Sequence, residues 1–249
     1  MTPKIKLTFA CLAILALASA GCAKLQARDN LNRGVKAFTD ARYENAVDYF
    51  KEAMKLDPDL TVAEIYLATA YSQMFIPNAG SEENQKNADL AIETFQNVLK
   101  KDPNNVNGIA GLAYLYQNTG DLQKAHDYYV KNTELEPANA VPFYAVGSVN
   151  WIVVYNKNNP PPEEEKARLI EEGLTYLDKA LAINPNYEDA MSYKNLLYRQ
   201  KAEITKEEAA KTQLLAQADE WFNKALETRK KLQDQKKSIG GAGAVEQEN

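Results

Sequence analysis

The sequence contains one histidine and two cysteines in 249 residues. The single imidazole, His126, excludes a His-rich zinc site and leaves one side chain for any Ser-His-Asp relay. It follows Ala125 in a stretch of helical period and precedes Asp127, the setting of an ordinary surface or interface histidine. The glycines Gly240, Gly241 and Gly243 in the last twelve residues have no strand before them and no helix after, so they form no phosphate loop. With few apolar neighbours, residues 237–249 are expected to form a disordered C-terminal tail. Acidic residues are abundant, but their spacings are those of helix capping and salt pairing. Catalysis, a metal and a cofactor are therefore not expected.

The N-terminal apolar run, Leu7 to Leu17, is too short for a permanent bilayer span. Preceded by Lys4 and Lys6 and followed by Ala18, Ser19, Ala20 and Gly21, it has the three-part layout of a bacterial export signal. Residues 1–21 are expected to be removed. Ser19-Ala20-Gly21-Cys22 resembles the lipobox of bacterial lipoproteins, although Ser19 stands where that family usually has Leu. The resemblance implies that the Cys22 thiol is acylated and becomes the first mature residue, with residues 22–26 as lipidated N-terminus and short linker. Ala23 and Lys24 stand where inner-membrane lipoproteins often carry Asp, which implies an outer-membrane anchor facing the periplasm. Ala18-Ser19-Ala20 supports a second reading, cleavage before Gly21 by ordinary signal peptidase to release a soluble periplasmic chain. Cys11 leaves with the signal in either case, so no internal disulfide is expected.

Of the 29 Lys and Arg, Lys4 and Lys6 leave with the signal, so 27 basic residues against 34 acidic ones put the mature chain near −7. That balance argues against nucleic acid as a partner.

Four acid-or-amide plus proline pairs, Asp57-Pro58, Asp102-Pro103, Glu136-Pro137 and Asn184-Pro185, each close an apolar stretch of helical period. Pro103 and Pro137 lie 34 apart, the tetratricopeptide period. Between them Leu112, Ala113, Tyr116, Gly120, Ala125 and Tyr129 fall at the offsets of that family's small and aromatic positions. The other segments carry the same code in pieces, including Gly34, Ala46 and Phe50; Leu67, Ala91 and Phe95; Gly147, Gly173 and Ala180; and Ala218, Phe222 and Ala225. The chain thus resembles tetratricopeptide-repeat lipoproteins. The resemblance implies an all-α, right-handed solenoid of about five helix-turn-helix hairpins over residues 27–236. Small residues would sit where helices cross and aromatics beside them.

The remaining proline spacings, 45 and 48, exceed the period. With a similar excess in the fifth segment, they place extra residues between the two helices of hairpins two, four and five, all on one edge. Ser81, Pro162 and Thr205 precede runs of Glu, so the second helices of these hairpins should be lengthened. Thr205 and Glu208 fit a capping box. Glu82 with Lys86, Glu164 with Arg168, and Glu207 with Lys211 are spaced for local ion pairs.

In tetratricopeptide proteins the first helices line a concave groove. Carried over by position, the groove takes Leu31, Val35 and Phe38, then Ile65, Thr69 and Gln73, then Tyr114, Gln117 and Asn118. It continues with Tyr144, Ser148, Trp151 and Ile152, then Ser192, Leu196 and Arg199. Tyr114, Gln117, Asn118, Tyr144, Trp151 and Arg199 are the candidate partner contacts. Aromatic anchors with amides between them suit an extended peptide or partner helix. The expected role is a non-catalytic scaffold, tethered in the bacterial envelope, that binds a protein partner. The alternative is a self-assembling structural module in which a second copy, or the chain's own tail, fills the groove.

Overall fold

The four proline pairs act in the same way at the backbone level. Asp57, Asp102, Glu136 and Asn184 each cap the C-terminus of a helix. Their N–H groups donate 2.9 Å bonds to the carbonyls of Ala53, Val98, Asn132 and Ala180. The following proline has no N–H and cannot continue the helix. A turn then closes from Leu60, Asn105, Asn139 and Tyr187 back to the cap carbonyl at 3.0–3.1 Å, and the next helix begins. Asn105 and Asn139 also cap that helix, accepting from Gly108 and Val141 at 3.0 Å.

In this computed structural model the backbone of residues 3–245 and the side chains of residues 21–237 are described. The helices are α1 (Pro3–Thr39), α2 (Tyr43–Leu56), α3 (Thr61–Met74), α4 (Glu82–Lys101) and α5 (Val106–Thr119), followed by α6 (Leu122–Leu135), α7 (Ala140–Tyr155), α8 (Glu163–Ile183), α9 (Glu188–Ile204) and α10 (Glu208–Val245). No strand occurs among the described residues. The order is that of five helical hairpins in an α-solenoid. The chain divides into two units: the first ends at Gly120 and contains α1–α5, and the second begins at Asp121 and contains α6–α10.

In the first unit Ala46, Val47 and Phe50 of α2 pack with Leu67, Ala70 and Tyr71 of α3, Ala91 of α4 and Leu115 of α5. Helices approach closely where a side chain is missing: a Cβ on Gly111 would lie 2.2 Å from the Phe95 ring. Glu64, buried on α3, pairs with Lys101 at the end of α4 at 2.7 Å. In the second unit Phe143 and Val154 of α7 join Leu169, Ile170, Leu174 and Leu177 of α8 and Ala190 and Leu197 of α9. There Gly147 of α7 lies against Leu177 and the backbone of Gly173.

The lengthening of hairpins two, four and five is present: α4 has 20 residues, α8 has 21 and α10 has 38, against 14 in α2 and α6. Ser81 caps α4 as expected, accepting from the Asn84 N–H at 3.2 Å. Asn84 then folds back on the preceding loop through Ile76 and Ala79 at 2.7–2.9 Å. In the second unit the start of α8 and the end of α9 share one surface recess, lined by Glu163, Glu164, Lys201 and Thr205, so the insertions of hairpins four and five lie on a common edge.

Several expectations are corrected. Thr205 makes no capping box with Glu208; it ends α9, and its hydroxyl donates to the Lys201 carbonyl at 2.8 Å. In two of the three expected pairs the base meets the next acid along, Glu165 for Glu164 and Glu208 for Glu207. Arg168 bonds Glu165 and Glu172, and Lys211 meets Glu208. Phe222, read as a core aromatic, is 46% exposed on α10. Residues 22–26 are helix within α1, which reflects the good helix formers Ala23 to Gln26 and the lack of Gly or Pro there. At the other end, the backbone of α10 stays helical through Val245, into the stretch expected as a tail; residues 246–249 of that tail lie outside the described residues. The first two residues of the expected signal also lie outside them.

Candidate groove

Helices α7 and α9 are the first helices of their hairpins and pack on each other in the second unit. Tyr144 and Trp151 are seven residues apart on α7, two turns along one face. Tyr193 of α9 stands edge-on to both rings, 5.5 Å from each centroid. Tyr187, which caps the start of α9, lies 4.9 Å from Tyr144. At the other end Tyr155 stacks on Trp151 at 4.9 Å with the planes 14° apart. The result is a continuous ladder of five rings: Tyr187, Tyr144, Tyr193, Trp151 and Tyr155.

Edge-to-face and offset contacts of this kind fix ring orientation and contribute about 0.5–1.5 kcal/mol per pair beyond burial. The ladder is therefore rigid before any partner arrives, and Tyr155 is its most open end, 48% exposed. Burial, reinforced by Tyr193, Asp189 and Tyr187, pushes the Tyr144 hydroxyl well above the usual tyrosine range. Burial and Asp189 act in the same direction on Tyr187. Both hydroxyls stay protonated near neutral pH, and that of Tyr144 is hydrogen-bonded to Tyr193.

The structure brings two of the six candidate contacts, Tyr144 and Trp151, into one site. Arg199 belongs to the same unit but is committed elsewhere, bonding Asn195 at 2.9 Å and Asp219 of α10 at 2.6 Å. Ser148 is buried and donates to the Ala145 carbonyl, which makes it a core residue. Tyr114, Gln117 and Asn118 lie on α5 of the first unit. Tyr114 is 51% exposed, and the Asn118 amide donates to the Tyr114 carbonyl at 2.9 Å. Phe38 is part of an aromatic cluster with Tyr43 and Tyr66. Tyr187 and Tyr193 were not among the sequence candidates. Position counting in the fifth hairpin selected Ser192, one residue away from the ring that faces α7.

Two family models for the tetratricopeptide repeat match the chain, over residues 37–60 and 94–127. Among solved structures, a MamA protein aligns at TM-score 0.59 and 18% identity, covering 83% of this chain and 93% of that one. MamA from Desulfovibrio magneticus RS-1 aligns at TM-score 0.62 and 16% identity, over 83% and 96%. YrrB, a TPR protein described as having an unusual peptide-binding site, aligns at 0.55 and 15%, over 81% and 90%. No curated protein matches the sequence. At these identities the likeness to solved structures is one of fold. The proline-closed hairpins, the glycine crossings and the two repeat matches together make this chain a tetratricopeptide-repeat protein.

Proposed function

We propose that the protein is a non-catalytic scaffold of the bacterial envelope, tethered through an acylated Cys22, that binds an extended peptide or a partner helix on the aromatic ladder of α7 and α9. The observation that carries the reading is the ladder itself. Preordered aromatics on first helices give a partner large contact area at little entropic cost. The fold shared with YrrB, a protein with a peptide-binding site, supports a protein partner. Cys22 is exposed, and among the described residues no helix is long and apolar enough to cross a membrane. What supports the lipid anchor is the lipobox-like run from Ser19 to Cys22, and what supports the outer membrane is Ala23 and Lys24 after it.

Photo-crosslinking from Tyr155, in the native envelope, tests the groove. Changing Tyr144 and Trp151 to Ala should abolish the crosslinked species; an unaltered set of species refutes the assignment.

A second reading, self-assembly, is favoured by one observation. On α10 Phe222, Leu226 and Leu232 are 46%, 45% and 38% exposed, an apolar stripe that a second copy could cover. Size measurement of the full chain and of a variant with Phe222, Leu226 and Leu232 changed to Ser separates the two. A dimer that depends on those residues supports self-assembly, and a monomer in both supports the groove.

A further inference from the structure

Helices α6, α7 and α8 of the second unit surround a cavity of about 80 Å3. Leu122 and Val153 give it apolar walls, while His126, Asn150, Glu165 and Arg168 give it polar ones. At about 30 Å3 per water, the volume suits a small polar head group.

The polar walls have a one-sided deficit. Asn150 is 1% exposed. Its amide nitrogen donates to the Leu169 carbonyl and to the Glu172 carboxylate, both at 3.2 Å, but its Oδ1, also buried, has no partner. His126 Nε2 is likewise buried and unpaired, although it lies 3.3 Å from Glu172 Oε1. That contact is close without forming a hydrogen bond. The other ring nitrogen, Nδ1, faces Asp127 at 3.6 Å. The one cation at the cavity, Arg168, is already shared between Glu165 at 2.7 Å and Glu172 at 3.3 Å. Two carboxylates against one guanidinium leave one negative charge unmatched. The unmet Asn150 Oδ1 is an acceptor, and the local charge is negative.

We propose that this cavity is a second binding site, one that takes the guanidinium or ammonium group of a basic side chain on a protein partner. Asn150 Oδ1 and the Glu172 carboxylate would accept its N–H bonds, and Leu122 and Val153 would flank its aliphatic stem. None of these residues belongs to the aromatic ladder. Only the source of the side chain rests on the protein-binding reading given above; the preference for a cationic donor rests on the cavity.

The only histidine of the chain provides the reporter, because a single imidazole signal in the NMR spectrum of the labelled full-length protein belongs to His126. The protein is titrated with N-acetyl-arginine amide, N-acetyl-lysine amide and N-acetyl-citrulline amide, the last being the uncharged near-isostere of the first. The expected result is a saturable shift of the His126 signal with arginine or lysine and binding at least tenfold weaker with citrulline. Glu172→Gln should remove the saturable shift, whereas Tyr144→Ala with Trp151→Ala should leave it intact even if the ladder proves to bind nothing. Asn150→Leu is a harsher variant in the core, so Glu172→Gln, which preserves side-chain shape, carries the test after its helical circular dichroism matches the parent. Absence of a saturable shift means the cavity holds solvent alone and overturns the proposal. Equal binding of citrulline, or unchanged binding in Glu172→Gln, overturns it as well.

Discussion

Gly147→Ala in α7 tests whether close helix approach sets the fold of the second unit. On an exposed helix this exchange stabilises by about 1 kcal/mol, since glycine is the poorer helix former. Here the new Cβ would lie 2.5 Å from Leu177 Cγ, 2.8 Å from Leu177 Cδ2 and 3.2 Å from the Gly173 carbonyl oxygen. Leu177 is fully buried, so it has no open space to swing into, and α7 must move off α8. Overpacking of this kind costs about 1–3 kcal/mol. The expected sum is a net loss of about 1 kcal/mol, or about 2–4 °C in melting temperature for a chain of this size. Leu177→Ala alone should cost about 2–5 kcal/mol, yet it removes the atoms that the new methyl meets. In that background Gly147→Ala should become neutral or stabilising, so the pair should couple by about 1–2 kcal/mol. Urea unfolding of the four proteins, followed by circular dichroism, measures the cycle. A stabilising Gly147→Ala in the parent, or the same effect in both backgrounds within about 0.5 kcal/mol, would refute the reasoning.

Other expectations are simpler. Ala41, in the turn between α1 and α2, has φ +55° where Gly120 between α5 and α6 has φ +87°, so Ala41→Gly should raise stability by about 1 kcal/mol, read as a higher urea midpoint. Asn105→Ala removes the 3.0 Å cap on the Gly108 N–H and should lower stability by about 1 kcal/mol in the same assay. The Arg168 hydrogen bond holds the Glu165 carboxyl below the usual carboxylate range. Its folded pKa is therefore below its unfolded one, and the stabilisation is present at neutral pH and fades as pH falls through the folded value. Glu165→Gln should lower the urea midpoint slightly at neutral pH and leave it unchanged in strong acid. Cys22→Ser should move the protein from the membrane to the soluble fraction of the envelope, and intact mass of the mature N-terminus should show the acyl chains only in the parent.

The hairpins were legible because their signals are backbone chemistry. A proline two residues after a helix end, and a glycine or alanine where a second helix crosses, act the same way wherever they occur. The extra length in hairpins two, four and five was legible as a counting error in the proline spacing. The groove was only half legible. Tyr144 and Trp151 share a helix face whatever surrounds them, but Tyr187 and Tyr193 join them only through the packing of α9 on α7. Arg199 misled for the reverse reason: its position on α9 was right, and Asp219 on α10, twenty residues on, claims its guanidinium. Phe222 carries the family's aromatic and is nonetheless 46% exposed, because its burial depends on what packs on α10 and not on its own position. The cavity beside His126 had no sequence signature, since an unpaired amide oxygen is visible only once its neighbours are placed.

The helical character of residues 22–26 changes what a lipid on Cys22 would do mechanically. Ala27 is fully buried, whereas removal of residues 1–21 would take away the carbonyls that the N–H groups of residues 22–25 bond within α1, so this first turn would fray. Five residues, about 7–8 Å as helix and about 17 Å extended, would separate the acylated residue from the first packed contact of the first unit. The lipid would then act through a short tether, holding the start of α1 next to the bilayer.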